Sequence, residues 1–382
     1  MADLIYLDHN ATTPVAPEVL EAMLPALRDT WGNPSSTHAY GAAARKAMEQ
    51  ARGQVSELLG CDPAEVIFTS GGTESDNAAI VGIAEALENR GRHIAISNVE
   101  HAAVEETCRY LESRGFKVTR IPVSADGRID PASFAEAFRP ETTLVSLMHA
   151  QNETGVIQPV DEVARLARRR GVVVHSDAAQ SVGKIPVRVR ELDVDALTVA
   201  GHKLYAPKGV GALYLRRGTP FAAYLRGAGH EGGRRSGTES VPLIVGLGAA
   251  CALASKEMSA RETHLRAMRD RLEAKLRERI PDLVVHGGRY ERLPNTAYVA
   301  LPGANATSLL AQLDGVAAAA GAACHAGGTK PSRVLLAMGV APETALCTLR
   351  LTVGRPTRAA DVDAAAERIA SVALRLRSAA PA

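Results

Sequence analysis

A few residues in this 382-residue chain stand where chemistry would need them. Lys203 closes Thr198-Val199-Ala200-Gly201-His202-Lys203, an apolar run that turns abruptly into a loop containing proline and glycines. Taken alone, the motif reads first as a solvated lysine beside a turn. An amine held at a buried strand end is instead a tuned group, able to act as base or Schiff-base nucleophile. Asp177 ends the run Val172-Val173-Val174-His175-Ser176. A carboxylate there needs a partner, because burying an unpaired charge is costly, and a protonated ring nitrogen would supply one. Gly71-Gly72-Thr73-Glu74 leads a strand into a helix. That arrangement is either an anion seat suited to phosphate or an ordinary glycine turn with a threonine cap. His101 lies just past another strand, where a histidine is as readily a loop hydrogen-bonder as a catalyst. Asn152, in Gln151-Asn152-Glu153-Thr154-Gly155, suits a turn cap or a ligand contact.

The elements that would position these residues are legible from periodicity. Short β-branched runs are expected as strands at 66–69, 93–97, 118–121, 143–148, 172–175, 196–199 and 211–215. Helical patterns separate most of them, as at 79–88, where Ile80, Ile83, Ala84 and Leu87 share one face. Strands apolar on both sides and alternating with helices predict an α/β fold, a mostly parallel seven-stranded sheet between helices. Ligands of such sheets bind beyond the carboxyl ends of the strands, where all five residues fall. After residue 255 the pattern changes to an amphipathic helix at 261–279, strands at 296–300 and 349–353, and a last helix to about 377. The expected organisation is a large domain over 15–255. A smaller α+β domain is formed by 256–382 with an N-terminal arm, residues 1–14, judged too polar to be a core strand throughout.

Composition removes several classes of function. Forty-four Lys and Arg balance 42 Asp and Glu, and aromatic residues make up 4% of the chain, so neither nucleic acid nor an anionic membrane is an expected partner. The five cysteines are scattered singly, which predicts no disulfide framework and no zinc site. With no signal-peptide pattern at the start, the expected location is the cytoplasm. The apolar stretch 241–254 contains a proline and two glycines and is expected as a buried helix.

Phosphate seat, histidine, acid and amine at one sheet edge form the set that pyridoxal 5'-phosphate requires. A nicotinamide site is disfavoured, since no GxGxxG follows a strand. The segments LDHNATT, GNPSS, FTSGGTESDN, EHAAV, QNETG, SDAAQSVGK, GHKLYAPKGVGALY, RRSGTES, GAACH and LRLTVGR run collinearly from Leu7 to about Arg355. In this order they resemble the motifs of the NifS/IscS-type cysteine desulfurases, fold-type I enzymes of the class V aminotransferase superfamily.

The resemblance implies a homodimer carrying pyridoxal phosphate on Lys203. His101 would stack on the ring, Asp177 would pair with its nitrogen, and Gln180 would bond its phenolic oxygen. Gly72, Thr73 and His202 would hold the phosphate, with Thr238 reaching the neighbouring subunit's cofactor. Asn152 and Arg350 would bind the carboxylate of L-cysteine, and Cys324 would accept its sulfur as a persulfide. The sulfur would then pass to an acceptor protein, in iron-sulfur cluster assembly or other sulfur trafficking. Two departures stand out. Ala200 replaces a serine common three residues before the lysine, removing a hydroxyl from the phosphate seat. GAACH, at Gly321 to His325, resembles selenocysteine lyases as much as desulfurases, leaving the chalcogen open. An aminotransferase and a cofactor-free binding protein are the other readings of this fold.

Overall fold

The alternation of β-branched and amphipathic segments builds one large sheet and one small one, joined by a single long helix. The computed structural model describes residues 4–321, 324–325 and 328–379; for 324, 325, 328, 329 and 379 it describes the backbone alone. The chain runs through β1 (Ile5–Tyr6), α1 (Pro17–Arg28), α2 (Ala39–Leu59), β2 (Val66–Thr69), α3 (Gly72–Ala86), β3 (His93–Ser97), α4 (Ala102–Ser113) and β4 (Lys117–Ile121). It continues through α5 (Pro131–Ala137), β5 (Thr142–Ser146), α6 (Val160–Arg168), β6 (Val173–Asp177), α7 (Val189–Leu192), β7 (Ala196–Ala200) and β8 (Gly211–Leu215). Beyond α8 (Val241–Arg279) come β9 (Val284–Val285), β10 (Thr296–Ala300), α9 (Ala306–Ala311), β11 (Val316–Ala317), β12 (Ala319–Ala320), β13 (Cys324–His325), β14 (Gly328–Thr329), α10 (Arg333–Ala337), α11 (Pro342–Leu346), β15 (Thr348–Thr352) and α12 (Ala359–Ala379).

The large sheet has the order β2-β8-β7-β6-β5-β3-β4. It is parallel except where β8 runs antiparallel between β2 and β7. All seven strands are those expected, with ends moved by one or two residues. Alternate side chains feed two cores. Phe68, Val145, Val174 and Val199 pack with Met23, Val55, Val163 and Leu247 from α1, α2, α6 and α8. Ile67, Ile94, Leu144, Val173 and Leu213 pack on the other side with Ile80 and Ile83 of α3 and Val104 and Leu111 of α4. The small sheet, β12-β15-β10-β9, is antiparallel. Leu265, Leu272 and Leu276 of α8 cover it together with Val362 and Ile369 of α12.

One expectation is corrected. The stretches 241–254 and 261–279, read as separate helices, form one 39-residue helix, α8. The intervening Ser255-Lys256-Glu257-Met258-Ser259-Ala260 contains no glycine or proline to interrupt it. The boundary drawn at residue 255 therefore falls inside this helix. Its first half is apolar enough, by length and composition, to cross a membrane, yet it buries Ile244, Leu247, Ala250, Cys251 and Ala254 in the core shared with α1 and α2.

The N-terminal arm, in which only the two residues of β1 are strand, is built into the interior. β1 pairs in parallel with β11, and Leu7, His9, Asn10 and Thr13 are buried. Polar residues are tolerated there because backbone and side-chain partners meet them, as where Leu7 N–H donates to Ala317 O at 2.7 Å and Thr352 N–H to Leu7 O at 2.7 Å.

Gly211 lets β8 close on its neighbours. A Cβ there would lie 2.6 Å from Val199 O and 2.8 Å from the Gly71 backbone. Gly211→Ala is expected to force β8 and the Gly71 turn apart and cost about 1–3 kcal/mol of stability. Denaturant unfolding measures this, and an unchanged midpoint would contradict the packing described.

Candidate active site

Three strands of the large sheet, the neighbours β6 and β7 and, beyond β8, β2, end at one edge and deliver the chemistry. β6 ends on Asp177, which pairs in register with Thr198 of β7. β7 continues into a single 3-10 turn, Gly201–Lys203, that carries the lysine. β2 leads through Ser70-Gly71 into α3. Gly71 has φ +154° and its position next to Gly211 leaves no room for β8 to bear a side chain. The amides of Gly72, Thr73 and Glu74 open α3, where a helix has no internal acceptors for its N–H groups, and no partner meets them among the described residues. Glu74 is held back from this seat. It accepts from Ser70 N–H at 2.8 Å and is clamped by Arg235 at 2.8 and 3.2 Å. Ala200 faces the seat, its Cβ 3.2 Å from where a Cβ on Gly72 would stand. The serine hydroxyl absent from this chain would point there.

Lys203 is half-buried, and its Nζ donates to the backbone carbonyls of Asn10 and, at 2.7 Å, Ala11. Burial and the nearby Arg350 guanidinium lower its pKa to about 8, with Asp177 and Asp8 opposing. Asp177 is buried and accepts one hydrogen bond, from Ala179 N–H at 2.8 Å. Burial raises its pKa, while His101 and Lys203 pull it down. Asp76 of α3 lies beside it: ligating atoms of Asp76, Asp177 and His101 all fall within 4.8 Å of one another. Burial and the Asp177 charge push Asp76 well above the carboxylate range. Of the two acids, Asp76 is thus the more strongly raised, and Asp177 is the one that neighbouring cations draw back toward the carboxylate form.

His101 caps α4, its Nδ1 accepting from Ala103 N–H at 3.1 Å. That bond assigns the neutral-state proton to Nε2. His202 has its Nδ1 3.2 Å from Thr12 Oγ1, and burial beside Lys203 and Lys208 lowers its pKa to about 4, so it is a neutral hydrogen-bonding group. Thr73 is exposed on the first turn of α3. Gln180 is buried, donating from Nε2 to Asn10 O at 3.0 Å and accepting at Oε1 from Lys184 Nζ at 2.8 Å.

The small sheet supplies Arg350 from β15. Its Nη2 donates to Asp8 Oδ1 at 2.9 Å and its Nη1 to Asn152 O at 3.3 Å, while its Nε is buried without a partner. The Asn152 side chain accepts from Gln151 Nε2 at 3.3 Å. Thr238 is apart from this group, exposed on the loop before α8. Arg235 and the buried pair of Arg52 and Glu231, joined by two 2.8 Å bonds, fasten that loop to α3 and β2. The side chain of Cys324 lies outside the described residues. Both flanks of its segment lead to Glu153. Tyr298 Oη donates to that carboxylate at 2.6 Å and to Gly321 O at 3.4 Å, and Ser332 Oγ donates to the same Glu153 oxygen. Three other thiols are held protonated by their surroundings: burial pushes Cys251 up to about 12 and raises Cys108 too, and burial with Glu65 takes Cys61 to about 12.

Sequence reasoning missed four contributors: Asn10, Asp76, Glu153 and Lys184. Lys184 alone carried a signal, a cation flanked by Val182, Gly183 and Ile185. The others are polar residues in polar motifs, whose importance comes from their neighbours.

The fold and this edge define a fold-type I large domain with an amine, an acid and an anion seat. The aminotransferase class-V family model matches residues 5–365, and the chain belongs to that family. Among its relatives, the cysteine desulfurase IscS of Dictyoglomus turgidum is 42% identical over 99% of this chain and 96% of its own length. A solved NifS-like protein superposes with TM-score 0.90 at 36% identity, covering 97% of this chain and 99% of that one. A structure named SspA in complex with cysteine gives TM-score 0.80 at 35% identity over 91% of this chain and 98% of that one.

The placement of Lys203 makes its titration a test of the geometry. In the cofactor-free protein, its reaction with an amine-selective reagent is expected to rise with a midpoint near pH 8, followed by peptide mass spectrometry. Ordinary lysines follow a midpoint near 10.4. Arg350→Gln is expected to move the Lys203 midpoint upward, and a midpoint unaffected by that change would break the link between the two residues.

Proposed function

We propose that this protein is a pyridoxal-phosphate-dependent cysteine desulfurase, converting L-cysteine to L-alanine and passing the sulfur, as a persulfide on Cys324, to an acceptor protein. The observation that carries the reading is the convergence, at one sheet edge, of the depressed amine of Lys203, the singly bonded buried carboxyl of Asp177 and the free amides opening α3. The cysteine desulfurase names of its relatives favour sulfur as the chalcogen that GAACH left open.

The residues fit the cofactor. Gly72 and Thr73 offer amides and a hydroxyl to its phosphate with His202 alongside, Asp177 has capacity left for a ring N–H, and Gln180 and His101 border the same space. The exposed Thr238, without a part in its own subunit's site, suits the second subunit of a homodimer. When bound, pyridoxal phosphate withdraws electrons from an amino acid joined to it, which weakens the Cα–H bond.

The chain's own groups then act in order. Arg350 exchanges Asp8 for the substrate carboxylate in a bidentate pair, which Asn152 helps to orient. Lys203, largely able to shed its proton near pH 8, takes the Cα proton and later returns one. His101, with Nε2 protonated, stands by as proton donor to the departing centre. The Cys324 thiolate attacks the substrate sulfur, forming an S–S bond as the Cβ–S bond breaks. The carbon left behind gains the proton that the substrate thiol gave up, so the products are alanine and a Cys324 persulfide.

Incubating the protein with pyridoxal phosphate, L-cysteine and a thiol reductant is expected to yield alanine and sulfide in equal amounts. Lys203→Ala should lower both by roughly a hundredfold or more. Cys324→Ala should abolish sulfide release from L-cysteine while leaving the visible absorbance of the bound cofactor intact. Alanine formed only with an added keto acid would identify an aminotransferase, and preferential turnover of L-selenocysteine would identify the lyase.

A further inference from the structure

Lys184 is a buried amine that the reaction above does not use. It lies just beyond β6, 5% exposed, and among the described residues it joins no ion pair. Its Nζ donates to two neutral acceptors, Asn10 Oδ1 at 2.9 Å and Gln180 Oε1 at 2.8 Å. The titratable groups that face it are Lys203, Arg350 and His9, none of them able to serve as a counter-ion. Burial and the first two of these cations lower its pKa well below that of an ordinary lysine. A lysine so placed is costly for the fold unless its hydrogen bonds serve some end.

The end is visible in the amide it meets. The oxygen and nitrogen of a glutamine side chain are interchangeable in shape, and only their partners decide which way the group points. The Lys184 amine donates, so it requires oxygen at that end of Gln180. Gln180 is thereby held with its NH2 group toward Asn10 O, the same carbonyl that accepts from Lys203 Nζ. One Nε2 hydrogen is used in that bond. The second has no partner among the described residues, and the carbonyl taken by the first also accepts from the reactive amine.

We infer that Lys184 is a positioning residue, which locks the Gln180 amide so that it presents an N–H donor, and never its oxygen, to the phenolic oxygen of a cofactor joined to Lys203. The inference rests on the pyridoxal phosphate reading above. A donor at the phenolic oxygen stabilises negative charge there and lowers the proton affinity of the neighbouring nitrogen. With Lys184 removed, only the bond to Asn10 O opposes a turn of the Gln180 oxygen toward that negative charge.

The test uses the cofactor-loaded protein and follows its visible absorbance against pH. Lys184→Met is expected to raise the midpoint of the absorbance change by about half a unit to one unit, the size of one lost hydrogen bond. It should also weaken pyridoxal phosphate binding to the cofactor-free protein, read by fluorescence titration. Gln180→Ala should raise the midpoint similarly, and Lys184→Met added to Gln180→Ala should shift it no further. An unchanged midpoint in Lys184→Met overturns the inference, and so does its full shift persisting in the Gln180→Ala background, which would make the effect one of charge alone. If Lys184→Met does not fold, Lys184→Gln, which keeps a donor near Gln180, carries the same comparison with a smaller shift in the same direction. A wild-type protein that takes up no pyridoxal phosphate and shows no visible band would overturn the cofactor reading itself, an outcome distinct from a band that ignores Lys184.

Discussion

The site hangs on the saturation of one asparagine. Every hydrogen-bonding group of Asn10 is engaged. Its N–H donates to Thr352 Oγ1, its carbonyl accepts from Lys203 and Gln180, its Oδ1 accepts from Lys184 and Asn295, and its Nδ2 donates to Thr296 Oγ1 and Asn152 O. Thr296 and Thr352 lie on the small sheet, and the others lie on loops and on the turn that follows β7 of the large sheet. A single polar residue on a threaded arm thus ties the large sheet, which holds the reactive amine, to the small sheet, which holds the arginine. Buried polar networks of this kind tolerate little disturbance, because each lost bond leaves a desolvated partner behind.

Electrostatics at the edge follow from the same crowding. Lys203, Lys184 and Arg350 sit close together, and Asp76 and Asp177 sit close together, all withdrawn from water. Burial and like charges act in the same direction here, lowering the proton affinity of the lysines and raising that of the acids. The result is an amine whose pKa lies near 8 beside an acid pair raised above the ordinary carboxylate value. Asp8 completes the balance by pairing with Arg350 at 2.9 Å. Asp8 belongs to the same arm as Asn10, so the segment that organises the amines also holds the arginine.

The segment containing Cys324 is governed differently. The side chains that define its ends, Gly321 packed under Tyr298 and Ser332 at the start of α10, converge on Glu153, whose pKa is raised by burial. A Cβ on Gly321 would lie 2.3 Å from the Tyr298 hydroxyl, so that position admits no side chain. Glu153 is the immediate neighbour of Asn152. The loop proposed to meet the substrate carboxylate therefore also fastens the flanks of the segment that carries Cys324.

Much of this was written in the linear chain. Period-two and helical patterning gave the strands and the α/β class, because both faces of the sheet are apolar and the helices between are amphipathic. Asp177 at the end of β6, and Lys203, Gly72 and Thr73 just past β7 and β2, could be singled out from the sequence, each with an ordinary turn or cap reading beside it, and it was their collinear motifs that named the family. What the sequence could not disclose is what depends on contacts between distant segments. The arm read as too polar to be a core strand throughout, and its pairing with β11 and the Asn10 network are what bury it. Lys184 carried only the signal of its apolar neighbours until the fold removed its water and set Gln180 against it. Local pattern determined which elements form and what chemistry they carry; the tertiary structure decided which groups lose solvent together, and burial, not sequence, sets proton affinities and amide orientation.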